Sequence, residues 1–168
     1  MTAKRWILLS LGSNIGDREE QLRKAALNIR EKLRVQDMIC SSVYSTAPWG
    51  KTDQPEFLNM VIGFTSTMDA VEMMEEILSV ETALGRSRAE KWGPRTIDID
   101  MLYAGNEIID HGILTLPHPG ITERKFVLLP LAEIAPDFKD PRSGITVREM
   151  LANCNDVLMV EKVASFTL

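Results

Sequence analysis

Two carboxylates one residue apart are the feature of this sequence whose spacing points most directly to chemistry. Residues 96–102 read TIDIDML, so Asp98 and Asp100 alternate with apolar side chains. Because successive strand side chains point to opposite faces, both acids should project to one side and the apolar residues into the core. Neighbouring carboxylates repel each other unless a cation lies between them, which favours a divalent-metal site. Two solvated acids on a surface strand would give the same pattern.

A cluster of basic residues precedes this acidic strand. The cations of the segment, against the single acid Glu90, are Arg86, Arg88, Lys91 and Arg95. Arginine binds phosphate oxygens in a bidentate fork, and phosphoryl transfer needs cations for a polyanion beside carboxylates for Mg²⁺. The alternative for the cluster alone is a solvated loop. Together, the acids and the cations favour a site for a phosphorylated ligand.

Aromatic and amide side chains offer a pocket for a planar ring. Phe57 and Asn59 lie two residues apart at the start of a predicted strand and so share a face, and Phe126 supplies a second ring. An amide carries a donor and an acceptor together and can read the edge of a heterocycle. Two phenylalanines of an ordinary core would look the same in sequence.

Other polar residues have both a functional and a structural explanation. Glu81 falls on the apolar side of a predicted helix, where it needs a donor, either a ribose hydroxyl or a nearby arginine. His118 lies in the turn LPHP, a setting more typical of a structural histidine, and Trp92 is a large ring within a charged loop. The turn at residues 12–17 lacks the lysine of a P-loop, so ATP would not bind here as it does in P-loop proteins.

The elements that must hold these residues follow from the periodicity of apolar side chains. Asp17 and Asp69 are predicted to cap two amphipathic helices, residues 18–33 and a second helix that ends at Gly85. The predicted strands are residues 6–11, 35–44, 58–65 and 96–103, and a short helix is expected at 146–151. The order strand, helix, strand, strand, helix, strand predicts an α+β fold with a ferredoxin-like βαββαβ core and both helices on one face of an antiparallel sheet. From Asn106 onward, the prolines predict an irregular C-terminal appendage to a single domain of residues 1–168.

Composition narrows the classes of partner and compartment. The chain has 168 residues and a net charge of −5, which argues against a nucleic-acid or anionic-membrane partner. No apolar run is long enough for a membrane span, and the start does not read as a signal peptide. Cys40 and Cys154 are expected to be thiols in a reducing compartment, the cytoplasm. With two histidines in the chain, a metal would be held mainly by carboxylates, which indicates Mg²⁺.

A set of motifs spread through the chain, in order, resembles one known family. The motifs are LGSN (11–14), YSTAP (44–48), QPEFLN (54–59), Glu81 with GRSR (85–88), KWGPRTIDIDML (91–102), LPHP (116–119) and RKFVL (124–128). They resemble the 6-hydroxymethyl-7,8-dihydropterin pyrophosphokinase family of folate biosynthesis. The resemblance implies that ATP donates its β,γ-pyrophosphoryl group to the hydroxymethyl oxygen of the reduced pterin and leaves as AMP.

The resemblance also implies a role for individual residues. Two Mg²⁺ ions would be held by Asp98 and Asp100. Catalytic roles fall to Arg86, Arg95 and Asp100. ATP would be contacted by Glu81, Arg88, Trp92, Met101, Thr115, His118 and Arg124. The pterin would be contacted by Thr46, Ala47, Trp49, Phe57, Asn59 and Phe126.

Two other functions are compatible with the residues alone. A Mg²⁺-dependent phosphohydrolase would use the same acids and arginines with water as acceptor, and would release phosphate without a pterin. A non-catalytic nucleotide-binding module would keep the fold without requiring both acids. The favoured prediction is a monomeric enzyme whose partners are its small-molecule substrates, ATP and the reduced pterin.

Overall fold

The computed structural model of the chain describes residues 3–46, 53, 55–85 and 96–168. Its elements in chain order are β1 (Arg5–Ser13), α1 (Arg18–Lys32), β2 (Ile39–Cys40), β3 (Val43–Thr46), β4 (Phe57–Ser66), α2 (Ala70–Ala83), β5 (Asp98–Ala104), β6 (Ile109–His111), β7 (Leu114–Leu116), a 3₁₀ turn (Ile121–Glu123), α3 (Lys125–Ile134), α4 (Val147–Ala152) and β8 (Val160–Ala164). None of the helices in these ranges is long and apolar enough to cross a bilayer.

Both predicted helix caps are present. The Asp17 carboxylate accepts a hydrogen bond from the Glu20 N–H at 3.1 Å, and Asp69 accepts from the N–H groups of Val71 at 2.9 Å and Glu72 at 3.1 Å. Each carboxylate thereby satisfies backbone donors that the first helical turn cannot pair itself.

The end of α2 also follows the prediction. Leu84 closes the helix and Gly85 follows with φ of +85°, a left-handed conformation that glycine adopts without steric cost.

The main sheet is antiparallel with the order β5-β1-β4-β3-β8, and β2 pairs with β4 beside β3. The strand predicted over residues 35–44 is therefore two short strands. Ser41 lies between them, and its hydroxyl accepts a hydrogen bond from the Val61 N–H at 2.9 Å. A side-chain oxygen replaces a strand carbonyl at this point, which interrupts the ladder.

Helices cover both faces of the sheet. On the first face, α1 and α2 pack over apolar side chains of the central strands, including Ile7, Leu9 and Ile62. On the opposite face, termed the α3 face, Leu8 and Val61 pack against α3 and α4. The α+β class with its βαββαβ core is confirmed, and so is the placement of its two helices, α1 and α2, on one face; α3 and α4 on the opposite face were not predicted.

The segment after residue 106 is more regular than the expected appendage. It contributes α3 with Pro130 inside it, α4, the β6-β7 hairpin, and β8, which pairs with β3. Proline removes a hydrogen-bond donor from a helix. Burial of Val127, Leu128 and Leu131 against the sheet stabilises α3 enough to tolerate that loss. The short helix predicted at 146–151 is confirmed as α4, with Thr146 as its cap.

Candidate active site

Asp98 and Asp100 project from β5 onto the α3 face, as the alternation predicted. Ile97, Ile99 and Met101 point the other way and are at most 1% exposed. The Asp100 side chain keeps 41% of its surface exposed, so its charge remains accessible to solvent and to a ligand. Two half-exposed carboxylates on one face are oxygen donors of the kind that hard divalent cations bind.

The strand β1 runs directly beside this acidic pair. Its register places Gly12 opposite Asp98 and Ser10 opposite Asp100. Ser10 is 8% exposed and was not singled out in the sequence analysis. The signal that would have found it is the strand register, which joins residues about ninety positions apart and cannot be read from local pattern.

His118 lies close to the acids and is neutral at physiological pH. Its Nε2 is 3.8 Å from Asp100 Oδ1, too far for a hydrogen bond, and its Nδ1 accepts from the Gly120 N–H at 3.1 Å. Burial, together with the charge of Arg124, lowers the pKa of His118 to about 4, and Asp98 opposes that shift. Because Nδ1 accepts a hydrogen bond, the ring proton resides on Nε2, the atom nearest the acids.

Glu81 is held by the backbone of the acidic strand. Its side chain is 2% exposed, and Oε2 accepts a hydrogen bond from the Ile99 N–H at 2.8 Å. One donor to this oxygen is therefore a backbone N–H of β5, which the sequence analysis did not consider beside a ribose hydroxyl or an arginine. Ile99 lies between Asp98 and Asp100, so α2 braces β5 at the acidic pair. A contact between Glu81 and ATP stays a prediction.

A second part of the α3 face is built around Asn59. The register pairs Asn59 with Gly12 on one side and Tyr44 on the other. Asn59 is 4% exposed, and its Nδ2 has no hydrogen-bond partner among the residues that the structure describes. A Cβ on Gly12 would lie 2.8 Å from Asn59 Oδ1 and 3.7 Å from Phe57 Cδ1. The absence of a side chain at Gly12 thus leaves room for the Asn59 amide and the Phe57 ring.

Thr46 lies next to this cluster, opposite Phe57 in the β3-β4 pairing. It is 3% exposed, and its hydroxyl also lacks a hydrogen-bond partner within the described ranges. Buried polar groups are nearly always paired, so two unpaired groups on neighbouring strands indicate a polar ligand. The structure thus brings together Thr46, Phe57 and Asn59, three of the predicted pterin contacts, and their binding of a pterin stays a prediction.

Arg124 and Phe126 flank the start of α3. The Arg124 guanidinium packs on Gly120, where a Cβ would lie 2.8 Å from Cζ. Phe126 is partly buried against the apolar cluster of the α3 face. The face that carries Asp98, Asp100 and Asn59 is therefore the face on which α3 begins.

A cavity of about 260 Å³ adjoins Asp100. It brings together four residues that the sequence analysis assigned to the active site, Asp100, Met101, Thr115 and His118. Met74, Ile113 and Leu114 also line it and were not predicted as site residues. The helical periodicity assigned Met74 to the core, and the structure places it at the border between the core and this cavity.

Six predicted site residues lie outside the described ranges. They are Arg86, Arg88, Trp92, Arg95, Ala47 and Trp49. Within the ranges that are described, no group of three or more His, Cys, Asp or Glu side chains converges on a metal position. The acidic pair alone fits Mg²⁺, because this ion commonly binds one or two carboxylates and takes its other ligands from phosphates and water.

Comparison with known proteins identifies relatives along most of the chain. Residues 8–136 match the family model of 7,8-dihydro-6-hydroxymethylpterin-pyrophosphokinase. A 2-amino-4-hydroxy-6-hydroxymethyldihydropteridine pyrophosphokinase of Methylorubrum extorquens is 46% identical over 145 residues, covering 86% of this chain and 90% of that protein. The Bacillus subtilis protein of the same name is 44% identical over 126 residues, covering 75% of each chain.

Solved structures support the fold. The Plasmodium falciparum HPPK-DHPS crystallised with pteroate superposes with a TM-score of 0.70 at 17% identity, covering 91% of this chain and 43% of that longer one. A second crystal structure of that protein, with pterin and p-hydroxybenzoate, gives a TM-score of 0.68 at 17% identity, covering 90% of this chain and 42% of the other.

Proposed function

This chain belongs to the 7,8-dihydro-6-hydroxymethylpterin pyrophosphokinase family, and we propose from its described residues how it carries out the reaction of that family. The enzyme transfers the β,γ-pyrophosphoryl group of ATP to the hydroxymethyl oxygen of 6-hydroxymethyl-7,8-dihydropterin and releases AMP, a step of folate biosynthesis. The observation that carries the residue assignment is the buried Asn59 amide, whose Nδ2 no described residue pairs with, on the same sheet face as the two acids.

The reaction forms one bond and breaks another at the β-phosphorus of ATP. The pterin hydroxyl releases its proton to water, and its oxygen bonds to that phosphorus. The bond from the β-phosphorus to the oxygen that bridges it to the α-phosphorus breaks, and the electron pair leaves with AMP. Negative charge grows on the bridging oxygen, so cations around the phosphates lower the barrier.

Asp98 and Asp100 would hold the two Mg²⁺ ions that the family resemblance implies. Bound Mg²⁺ neutralises phosphate charge and lowers the pKa of a hydroxyl that it contacts. Glu81 supports this role through the Ile99 N–H, since that hydrogen bond fixes the backbone between the two acids. The exposure of the acids leaves room for phosphate oxygens beside them.

The nucleoside of ATP would occupy the cavity beside Asp100. Its lining is apolar at Met101 and Leu114, which suits a purine ring, and polar at Thr115 and His118. The neutral His118 ring can donate its Nε2 proton to a phosphate or ribose oxygen. Arg124 lies close enough to lower the pKa of His118 and adds a positive charge at the same end.

The pterin would lie against Asn59 between the rings of Phe57 and Phe126. The Asn59 Nδ2 is a donor without a partner in the described part of the chain, and a heterocycle carbonyl or ring nitrogen would accept its hydrogen bond. The Thr46 hydroxyl, next to Phe57, is a second such group. Ala47 and Trp49, which follow Thr46 in the sequence, would add contacts to the pterin edge.

Arg86 and Arg95 would bind the phosphates as charge moves to the bridging oxygen, with Arg88 and Trp92 on ATP. This assignment rests on the family motif. We expect Arg95→Ala to lower kcat more than it raises the KM for the pterin. A raised pterin KM at unchanged kcat would contradict the phosphate-binding role.

The test of the function is the product formed from ATP and Mg²⁺ with and without the reduced pterin. AMP should appear in a one-to-one ratio with pyrophosphorylated pterin and only when the pterin is present. Inorganic phosphate released without the pterin would indicate a phosphohydrolase, and ATP binding without turnover would indicate a non-catalytic module.

Both thiols, Cys40 and Cys154, are free, which supports a cytoplasmic location.

A further inference from the structure

The helix α3 begins without a cap of its own. Arg124 occupies the N-cap position and makes no side-chain hydrogen bond to the first turn, and that turn contains no acidic residue. The missing acceptor comes from far along the chain. Asp156 Oδ2 accepts a hydrogen bond from the Lys125 N–H at 3.0 Å. A carboxylate at a helix N-terminus also interacts favourably with the helix dipole.

The Asp156 carboxylate is itself held in place. Its other oxygen accepts from the Leu158 N–H at 2.9 Å, so both oxygens are bonded to backbone. Shortly afterwards Val160 begins β8 and pairs with Thr46 of β3. The segment 156–160 therefore connects the start of α3 to the end of β3. Two of the proposed pterin contacts lie at the ends of this connection. Phe126 directly follows Lys125, and Thr46 is the partner of Val160.

The other end of α3 is fastened independently. Glu133 accepts hydrogen bonds from the Ser42 N–H at 2.9 Å, the Ser42 hydroxyl at 2.8 Å and the Tyr44 hydroxyl at 2.5 Å. Leu128 and Leu131 are fully buried between these two ends. Loss of the Asp156 contact would therefore loosen the first turn and leave the rest of the helix docked.

We propose that Asp156 is a positioning residue for the pterin pocket, because it fixes the first turn of α3 and with it the ring of Phe126. The proposal rests on the proposed function, in which Phe126 stacks on the pterin. Asp156 does not touch the substrate in this scheme. It acts through the Lys125 N–H, one residue before the ring.

The test compares Asp156→Ala with a matched loss of a helix cap elsewhere. Asp69→Ala removes hydrogen bonds to two N–H groups of α2, at the end of that helix remote from Glu81. The two variants should lower the melting temperature by similar amounts. Asp156→Ala should raise the KM for 6-hydroxymethyl-7,8-dihydropterin about tenfold, the effect of losing one cap, with kcat within about twofold of wild type. Asp69→Ala should leave the pterin KM unchanged.

Asp156→Asn provides the conservative comparison. Its amide oxygen can still accept from the Lys125 N–H, so the pterin KM should recover most of the way to the wild-type value. Direct binding can be measured by titrating the pterin in the presence of α,β-methylene ATP, in which the bond that breaks during transfer is blocked. The same order of affinities is expected, with the wild type tightest and Asp156→Ala weakest.

Phe126→Ala separates failure of this inference from failure of the proposed site. An unchanged pterin affinity in Phe126→Ala would overturn the assignment of the ring, and the Asp156 inference with it. A weakened affinity in Phe126→Ala combined with a wild-type affinity in Asp156→Ala would overturn the Asp156 inference alone. Equal losses of pterin affinity in Asp156→Ala and Asp69→Ala would also overturn it, because the loss of affinity would then follow from the lower stability that the two variants share.

Discussion

Asp98 and Asp100 occupy positions where a carboxylate can be removed without opening a cavity. The buried side of β5 is made by Ile97, Ile99 and Met101, while the acids face outward. Substitution of either acid should therefore reduce the catalytic rate and leave the stability of the fold unchanged. Alternation along one strand was sufficient to predict this geometry from the sequence, because side-chain direction in a strand is a local property.

We expect Asp98→Ala and Asp100→Ala each to lower kcat by about a thousandfold, the scale of losing a principal electrostatic contact to the transition state. The melting temperature should stay close to the wild-type value. AMP release and thermal denaturation measure the two effects. Asp137→Ala, which removes an exposed acid paired with Arg148, is the control and should keep full activity. Near-normal turnover in both acid variants at limiting Mg²⁺ would refute the metal assignment.

Gly12 should be sensitive to the addition of a single methyl group. A Cβ there would lie 2.8 Å from Asn59 Oδ1, so Gly12→Ala should displace the amide and raise the pterin KM about tenfold or more. Gly63→Ala is the control, since its Cβ would crowd Leu8 and Trp6 at 3.1 Å, on apolar atoms only. It should lower stability and spare the pterin KM. The same KM in wild type and Gly12→Ala would show that Asn59 does not read the pterin.

At the scale of elements, α3 is the part of the fold that the sequence analysis missed. The prolines of the segment after Asn106, of which Pro130 lies inside α3, predicted irregular chain, whereas distant residues supply the cap that the helix lacks. Asp156 serves its first turn and Glu133 ties its last turn to β3. Such partners are separated by tens of residues in sequence, so no window of local pattern contains them. The capped helices α1 and α2, by contrast, were predicted nearly to the residue.

The bonds of Glu133 predict a pH-dependent contribution to stability. Burial alone would raise the pKa of this carboxyl, but hydrogen bonds from Tyr44 and Ser42 outweigh burial and hold the pKa below its usual value. A lowered pKa means that the contribution is present above the unfolded-state pKa and is lost as pH falls through the folded-state pKa. Because Glu133 is exposed to solvent, screening limits the contribution of its ionised carboxylate to the free energy of unfolding to about 1 kcal/mol.

We therefore expect Glu133→Gln to reduce the free energy of unfolding by about 1 kcal/mol at neutral pH. The difference from wild type should shrink as the solution is acidified. Urea denaturation across this pH range measures it, and Glu75→Gln on the exposed side of α2 is the comparison variant. A difference that stays constant with pH would exclude the ionised carboxylate as its source.

At the scale of the whole molecule, the candidate site lies on the α3 face, where residues from β1, β3, β4 and β5 come together. The sequence predicted the acids, Asn59 and Phe57 correctly as sharing a face within each strand. It did not predict that β1, β4 and β5 would align Gly12, Asn59 and Asp98 in one row, because register between strands depends on the folded sheet. The basic segment 86–95 and its phosphate contacts remain predictions.

We expect the protein to be a monomer in solution. The described main sheet has two outer strands, β5 and β8, and a second copy could extend the sheet along β8, which carries Glu161 and Lys162 near its centre. A two-fold antiparallel pairing centred on either residue would set identical charges directly opposite, which is destabilising. Light scattering after size exclusion should give a mass near 18.9 kDa at all concentrations. A mass that doubles with concentration would contradict this prediction.

The pairing of β8 with β3 also has a consequence for synthesis on the ribosome. Thr46 leaves the exit tunnel long before Val160, its partner in the finished sheet. During that interval the nascent chain carries a strand with one open edge, a known route to misassembly. Chaperone binding to ribosome-bound chains should accordingly decline once the residues of β8 have emerged.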